Sequence, residues 1–169
     1  MKTPDQYVES LRKLNPAVYI KGKLVRSVPD EPLLRPGINA ISLTYEYALR
    51  PEYRDIMIAT SHITGKEVSR LLHINTSRDD LFKKLEMTRL LCRTAGCAQR
   101  YLTHDALNAL YETTHRIDEE FSTEYHPRFL DYLHHVQSED LTTCVAMTDA
   151  KGNRSKRPYE QKDPDLYLR

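Results

Sequence analysis

The feature that most constrains the fold is a run of helical periodicity between residues 77 and 137. Ser77 is a capping residue at its start, and apolar side chains then recur three or four residues apart, a spacing that places them on one helix face. The run breaks at Ala95 and Gly96 and resumes from Tyr101, and a further helix is predicted at about 127–137. The chain has only five glycines and no tryptophan. We therefore predict a mainly α fold, a helical bundle with a minor β ribbon.

Two of the predicted helices carry an apolar stripe. On the helix that follows Ser77, the stripe consists of Leu81, Leu85, Thr88 and Cys92. On the next helix, it consists of Leu102, Ala106, Ala109, Leu110, Thr113 and Ile117, and a second, polar-aromatic stripe consists of Tyr101, His104, Asn108, Tyr111 and His115. We expect Cys92 to be a small buried thiol.

The first half of the chain is less regular. Thr3 and Gln6 form a capping-box pattern with proline at the first helical position, which predicts a first helix. Residues 17–25 predict a two-stranded ribbon around Gly22, and the prolines between 29 and 36 predict an irregular crossing. A second helix is predicted at 37–49, whereas the pattern at 53–74 leaves strand and helix open.

Charge and cysteine usage exclude several classes of protein. The 25 basic residues nearly balance the 24 acidic ones, so no broad positive field exists to hold nucleic acid or an anionic membrane. Three irregularly spaced cysteines indicate a reducing compartment rather than a disulfide framework. The first residues lack an apolar leader and no stretch is long enough to span a membrane, so we expect a cytoplasmic protein.

Candidate chemistry concentrates where two predicted helices meet. Cys97, Arg100, Tyr101 and His104 supply a thiol, a guanidinium, a phenol and an imidazole. Arg100 and His104 are four residues apart, so both face one pocket if the helix begins by Arg100. The guanidinium can hold an anionic or phenolate substrate, and the imidazole can act as acid or base. The alternative interpretation is a solvated helix start with a polar face.

A cationic loop follows near the end of the chain. Gly152 allows close backbone approach to a ligand, and Arg154 can bridge phosphate oxygens, so Lys151, Gly152, Asn153 and Arg154 are candidates for binding a pyrophosphate-bearing cofactor. A solvated basic tail and a localisation signal are the competing interpretations.

Common metal and hydrolase motifs are absent from the sequence. Cys92 and Cys97 are five residues apart and would point in different directions on a helix. The four histidines 115, 126, 134 and 135 do not have the spacing of a zinc-binding helix, and no Gly-x-Ser-x-Gly, Walker or Gly-x-Gly-x-x-Gly pattern occurs. We therefore predict no metal site.

Five segments, taken in order, resemble the 4-hydroxyphenylacetate 3-hydroxylase and 4-hydroxybutyryl-CoA dehydratase flavoprotein family. They are 6–15 (QYVESLRKLN), 89–91 (RLL), 97–100 (CAQR), 146–154 (AMTDAKGNR) and 161–166 (QKDPDL). The resemblance covers the whole chain, which corresponds to about the first third of a family polypeptide. It implies the N-terminal domain of an acyl-CoA-dehydrogenase-like fold, with residues 1–148 as a helical domain. Residues 149–169 would be a flavin-contacting segment leading into an absent middle β domain.

The two branches of the family imply different roles. The dehydratase branch holds FAD and a [4Fe-4S] cluster with a Cys-x-x-x-Cys pair, of which Cys97 matches the first member and Tyr101 occupies the second position. The hydroxylase branch has a substrate-site arginine, which Arg100 matches. Four residues further on it has a tyrosine, and His104 occupies that position here. In that version Arg100 orients the phenol and stabilises the developing peroxide charge, Tyr101 and His104 line the pocket, and residues 151–154 touch reduced FAD.

Because the cluster pattern is broken, the resemblance predicts an FAD-dependent monooxygenase of 4-hydroxyphenylacetate type, without a [4Fe-4S] cluster. The first alternative is a 4-hydroxybutyryl-CoA dehydratase-like flavoprotein acting on a hydroxyacyl-CoA. The second is a truncated, non-catalytic helical interaction subunit with an exposed apolar face. The expected partners are a small-molecule substrate, a flavin reductase, a companion chain and further copies of the chain in a homo-oligomer.

Overall fold

The computed structural model of the protein describes residues 1–97, 100–146, 153 and 155–162. Within them, the α-helices are α1 (Pro4–Leu14), α2 (Arg35–Leu49), α3 (Arg54–Met57), α4 (Arg78–Ala95), α5 (Arg100–Phe121) and α6 (Tyr125–Ser138). The strands are β1 (Tyr19–Ile20), β2 (Lys23–Leu24), β3 (Ile58–Thr60) and β4 (Glu67–Ser69). The described part of the chain is therefore mainly α, as predicted. None of its helices is both long enough and apolar enough to cross a membrane.

Local capping sets the ends of the helices. The Thr3 side chain accepts from the backbone N–H of Gln6, and the Gln6 side chain accepts from the backbone N–H of Thr3, so the predicted capping box begins α1. Ser77 and Asp80 form the same arrangement at α4. Gly96 has a φ of 72° and ends α4, a left-handed conformation that glycine adopts without strain. The predicted helices at both places are confirmed.

The two sheets are short antiparallel ribbons. Tyr19 pairs with Leu24 across a turn in which Gly22 has a φ of 77°, which confirms the ribbon predicted for residues 17–25. The second ribbon pairs Ile58 with Ser69 and Thr60 with Glu67, in the region where the sequence pattern left strand and helix open. The segment at 29–36 that was predicted to be an irregular crossing ends in a helix, because Pro36 lies in the first turn of α2.

Three apolar clusters hold these elements together. The first joins α2, α3 and α4 around Met57, Met87 and Leu91. The second joins the segment after β4 to α5 and α6 around Leu72, Leu107, Leu133 and Val136, and the third packs α1 on α2. Helices α5 and α6 therefore form an antiparallel hairpin around the second cluster.

The apolar stripes of α4 and α5 lie largely on the solvent side. Leu81 and Leu85 on α4 are 50% and 51% exposed, and Leu102 and Leu110 on α5 are 45% and 46% exposed. Most of the polar-aromatic stripe of α5 faces inward instead, because residues 70–74 and α6 pack against that side of the helix. His115, the last residue of this stripe, is exposed. The prediction that Cys92 is buried is wrong, since this thiol belongs to the solvent-facing stripe of α4.

A buried arginine ties the irregular middle of the chain to α4. Arg70 is 3% exposed, and its Nε and Nη2 donate to the backbone carbonyls of Ile56 and Ile58 at 2.8 Å. Nη2 also donates to the carbonyl of Asp55 at 3.1 Å, while Nη1 donates to the Asp80 carboxylate at 3.0 Å. Since Asp80 also caps α4, one side chain connects α3, the β3–β4 ribbon and α4.

Candidate functional site

A cavity of about 410 Å³ lies between α1, α2 and the junction of α4 with α5. Its walls are mainly apolar, formed by Leu11, Val28, Leu34, Ile38, Ile41 and Leu91. Its polar lining consists of Tyr7, Thr44, Cys97 and Arg100. A concave apolar surface with a few polar groups is the usual form of a small-molecule site.

Arg100 is the charged group in this lining. Arg100 is 5% exposed, and its Nη1 donates to the Thr44 hydroxyl at 2.7 Å. Nη2 donates to the backbone carbonyl of Leu141 at 3.2 Å. Arg100 is the first residue of α5, and its guanidinium lies against α2 and against the chain that follows α6. The cation is thus held by neutral oxygen acceptors.

Two tyrosines support the guanidinium. The Cζ atom of Arg100 lies 4.7 Å from the ring centroid of Tyr45, and Tyr7 stacks on Tyr45 with a centroid separation of 5.1 Å. The Tyr45 hydroxyl donates to the carbonyl of Asp140 at 3.1 Å and contacts the Thr142 hydroxyl at 2.8 Å. Burial raises the pKa of both tyrosines, so both are neutral phenols at neutral pH. Helix α1 therefore reaches the arginine through a stack of aromatic rings.

The charge of Arg100 is incompletely balanced. Among the ion pairs within 4.0 Å that join described residues, none involves Arg100. Burial lowers its pKa, and the nearby Tyr45 and the Asp140 carboxylate oppose this effect. An arginine remains protonated in such surroundings. A buried cation beside an apolar cavity is suited to an organic molecule that carries an oxyanion on an apolar body.

The other residues predicted around Arg100 have different surroundings. Cys97 lines the cavity and is exposed. Tyr101 is half-buried and packs against the cluster of α2, α3 and α4. It is not among the residues that line the cavity.

His104 lies on the inner face of α5, and the cavity lined by Arg100 does not include it. His104 is 0% exposed. Its Nε2 is 3.5 Å from Asn108 Nδ2, and its Nδ1 has no hydrogen-bond partner among the described residues. Burial lowers the pKa of His104 to about 4, so the imidazole is neutral at pH 7. The structure therefore separates Arg100 and His104, which the four-residue spacing placed in one pocket.

This buried imidazole predicts a loss of stability in acid. The unfolded chain protonates His104 at its ordinary pKa near 6.5, whereas the folded chain does so only near pH 4, so the unfolded state holds more protons between these values. We expect the free energy of unfolding to fall by about 3 kcal/mol between pH 7 and pH 4 from this group. The pKa of His73 is also lowered, mainly by burial, which acts in the same direction.

Urea unfolding at a series of pH values measures this effect. The variant His104→Leu should lose about 3 kcal/mol of the dependence between pH 7 and pH 4, whereas His134→Leu, at an exposed position on α6, should retain it. An unchanged pH dependence in His104→Leu would show that this imidazole is not responsible.

The predicted cofactor loop is described only in part. Lys151, Gly152 and Arg154 lie outside the described residues. Asn153 is exposed, its backbone N–H donates to Gln161 Oε1 at 3.0 Å, and its side-chain oxygen accepts from the hydroxyl of Ser155 at 2.7 Å. Asn153 is thus held in a turn closed by Gln161, which also donates to the Asn153 carbonyl.

Sequence reasoning missed three residues that surround Arg100 or line the cavity beside it. Tyr7, Thr44 and Tyr45 come from α1 and α2, more than 50 positions before Arg100. Helical periodicity places Tyr7 on the apolar face of α1, but it does not indicate which partner this face meets.

This fold and cavity define a class: a mainly helical domain that presents a buried guanidinium to a small-molecule-sized apolar cavity. The chain belongs to the family described as the 4-hydroxyphenylacetate 3-hydroxylase N-terminal domain, whose model matches residues 3–169. The resemblance in the sequence is therefore confirmed.

Named relatives come from both branches of the family. The chain is 46% identical to a 4-hydroxybutyryl-CoA dehydratase/vinylacetyl-CoA-Δ-isomerase of Clostridium aminobutyricum over 100% of its length. It is 24% identical to the oxygenase component of a 4-hydroxyphenylacetate 3-monooxygenase of Thermus thermophilus over 96% of its length. It spans about a third of these relatives, 35% and 33% respectively.

Solved structures show the same fold. An archaeal 4-hydroxybutyryl-CoA dehydratase from N. maritimus superposes with a TM-score of 0.87 at 48% identity, over 98% of this chain and 33% of that one. An HpaB oxygenase component complexed with FAD and 4-hydroxyphenylacetate superposes with a TM-score of 0.75 at 22% identity, over 97% of this chain and 34% of that one. The chain thus has the helical fold that these enzymes have in their matching third.

Proposed function

We propose that this chain is the helical N-terminal part of an FAD-dependent oxidoreductase that holds a phenolic substrate at Arg100. The observation that carries the proposal is the buried guanidinium beside the apolar cavity, with no carboxylate within 4.0 Å among the described residues. A phenolate has an apolar ring and one oxyanion, and these match the walls and the cation. The reaction type is ortho-hydroxylation of a phenol with reduced FAD and O2.

In this proposal Arg100 binds and orients the substrate oxygen. Its hydrogen bonds to Thr44 and Leu141 and the contact with Tyr45 hold the guanidinium in place before substrate arrives, so little reorganisation is needed. The apolar walls exclude water and strengthen the attraction between the cation and a developing negative charge. Tyr101 and His104 remain predicted site residues, although neither lines this cavity.

The flavin would contact the segment that begins at residue 149. Lys151, Gly152, Asn153 and Arg154 are the proposed FAD-binding residues, with Arg154 on phosphate oxygens and Gly152 allowing close approach of the backbone. Among them the structure describes Asn153, whose exposed position in a closed turn fits contact with a bound cofactor. Bound FAD would supply the redox chemistry. Residues 1–148 would then form one wall of a site completed by a middle β domain.

A dehydratase-like flavoprotein that acts on a hydroxyacyl-CoA is the second candidate function. The observation in its favour is the 46% identity to the clostridial dehydratase, against 24% to the Thermus oxygenase component. In that case Arg100 would hold an acyl oxygen instead of a phenolate.

We propose that the chain holds no [4Fe-4S] cluster of the dehydratase kind. Cys97 is exposed, and four residues on the chain has Tyr101, whose side chain packs into an apolar cluster. Among the described residues, no group of three or more histidine, cysteine, aspartate or glutamate side chains is arranged to hold a metal ion. We therefore assign no step to a cluster.

A titration with oxidised and anaerobically reduced FAD tests the flavin proposal. We expect saturable binding, followed by flavin fluorescence, that weakens about tenfold in Arg154→Ala, because a charge-assisted contact to phosphate is lost. Arg157→Ala is the matched control, since Arg157 is an exposed arginine of the same segment that bonds to Tyr159 and should leave affinity unchanged. Equal affinity in all three chains, or no binding, would contradict the assignment of residues 151–154.

Iron content and ligand choice separate the two candidates. A hydroxylase-type chain should contain no iron after anaerobic purification and should bind 4-hydroxyphenylacetate. A dehydratase-type chain should bind 4-hydroxybutyryl-CoA in preference, with iron in proportion to a cluster once a companion polypeptide supplies the other ligands.

The exposed apolar stripes of α4 and α5 support the proposal that this chain pairs with further copies or with a companion polypeptide. Light scattering after size-exclusion chromatography tests it. A monodisperse monomer that does not bind an apolar dye would contradict pairing through these stripes.

A further inference from the structure

Two histidines that lie 11 positions apart meet where α5 and α6 form a hairpin. His115 is on α5 and His126 is on α6, and their ring centroids are 5.2 Å apart with an interplanar angle of 85°. His115 is exposed and His126 is half-buried, so a dissolved ion can reach the pair. Neither residue lines the cavity at Arg100.

Hydrogen bonding sets the tautomer of His126. Its Nδ1 lies 2.9 Å from the Thr114 hydroxyl, and that hydroxyl donates its single hydrogen to the backbone carbonyl of Leu110 at 2.7 Å. Thr114 must therefore accept from His126, which places the proton on Nδ1. The lone pair on Nε2 is then available to a metal ion.

His115 has a corresponding partner. Its Nδ1 lies 3.5 Å from a carboxylate oxygen of Glu119, one helical turn further along α5. A carboxylate beside Nδ1 favours a proton there and leaves the lone pair on Nε2. Histidines that bind metals commonly have such an outer partner on the second ring nitrogen.

The backbone at His126 is anchored to the same helix. Asp118 accepts from the backbone N–H groups of Tyr125 and His126 at 2.9 and 2.7 Å, and from the hydroxyl of Thr123 at 2.6 Å. The first turn of α6 is therefore held against α5 one turn beyond His115. The carboxylates of Asp118 and Glu119 also make the surroundings favourable for a cation.

The separation of the rings suits coordination of one ion by both. With Zn–N bonds of about 2.0–2.1 Å and a tetrahedral angle, two imidazoles that share one zinc ion have centroids about 5 Å apart. We propose that His115 and His126 bind a divalent transition-metal cation, with Zn²⁺ as the preferred ion, through their Nε2 atoms. Water completes the coordination, and the ion clips α5 to α6.

Isothermal titration calorimetry with ZnCl2 at pH 7.5 tests the proposal. Cys92, Cys97 and Cys144 are exposed thiols, and thiolates are common zinc ligands, so the titrations use the full chain and a variant in which all three are serine. We expect one site to remain in the cysteine-free chain. In that background His115→Ala and His126→Ala should each weaken affinity by about tenfold or more, since one of two protein ligands is lost.

The matched control is the double change His134→Ala, His135→Ala, which removes two exposed histidines of α6 and should leave zinc affinity unchanged. A thermal unfolding scan gives a second measurement: Zn²⁺ should raise the Tm of the cysteine-free chain and should not raise that of His126→Ala. Absence of binding in the cysteine-free chain, or equal binding by His115→Ala and the control, would overturn the proposal.

Discussion

Replacing Arg70 with methionine is expected to lower the free energy of unfolding by about 3–5 kcal/mol. Arg70 is almost fully buried and donates to three backbone carbonyls and to Asp80. Methionine fills much of the same volume but leaves the carbonyls without a donor and the carboxylate without its cation. Urea unfolding followed by circular dichroism measures the change.

Arg54→Met is the matched control for this prediction. Arg54 belongs to α3 and pairs with Glu67 of β4, but both side chains are 58% exposed. Exposed pairs contribute little to stability, so we expect almost no change. Comparable losses in Arg54→Met and Arg70→Met would show that the buried network is not what stabilises the middle of the chain.

Replacing Arg100 with methionine is expected to weaken binding of 4-hydroxyphenylacetate on the order of 100-fold, because two charge-assisted hydrogen bonds to an oxyanion are lost. Arg100→Lys should give an intermediate affinity, since lysine retains the charge but lacks the planar fork of donors. The loss of stability should be smaller than in Arg70→Met. Methionine removes a buried charge that has no carboxylate within 4.0 Å in the described structure, and this removal is itself favourable.

Calorimetric titration of the full chain with 4-hydroxyphenylacetate makes the measurement. Arg93→Met, which changes an exposed arginine near the end of α4, is the control and should bind like the unchanged chain. Unchanged affinity in Arg100→Met would show that Arg100 does not bind the substrate. An unchanged chain that does not bind the probe would contradict the proposed function itself.

Local features of the structure follow from short stretches of sequence. Thr3 with Gln6 and Ser77 with Asp80 set the starts of α1 and α4, and Gly96 sets the end of α4, because each arrangement is completed within three or four residues. The ribbon at β1 and β2 is local in the same sense. Residues 53–74 could not be predicted, since β3 and β4 are three residues long and depend on Arg70 for their place in the fold.

The orientation of α5 shows where periodicity fails. Its apolar stripe includes Leu102 and Leu110, yet the structure buries the face with His104 and Leu107. Helical spacing identifies which side chains share a face, but burial depends on the elements that pack there. The residues around Arg100 illustrate the same limit, because Thr44 and Tyr45 reach it from 56 and 55 positions away.

The sequence by itself determined the family, the mainly helical class, the main helix starts and Arg100 as a candidate residue. Each of these depends on residue types and on contacts within one or two helical turns. Only the tertiary structure decided that Arg100 and not His104 lines the cavity, that Cys92 is exposed and that His115 meets His126. These outcomes depend on contacts between helices, which are selected by the total burial of apolar surface and the pairing of buried polar groups.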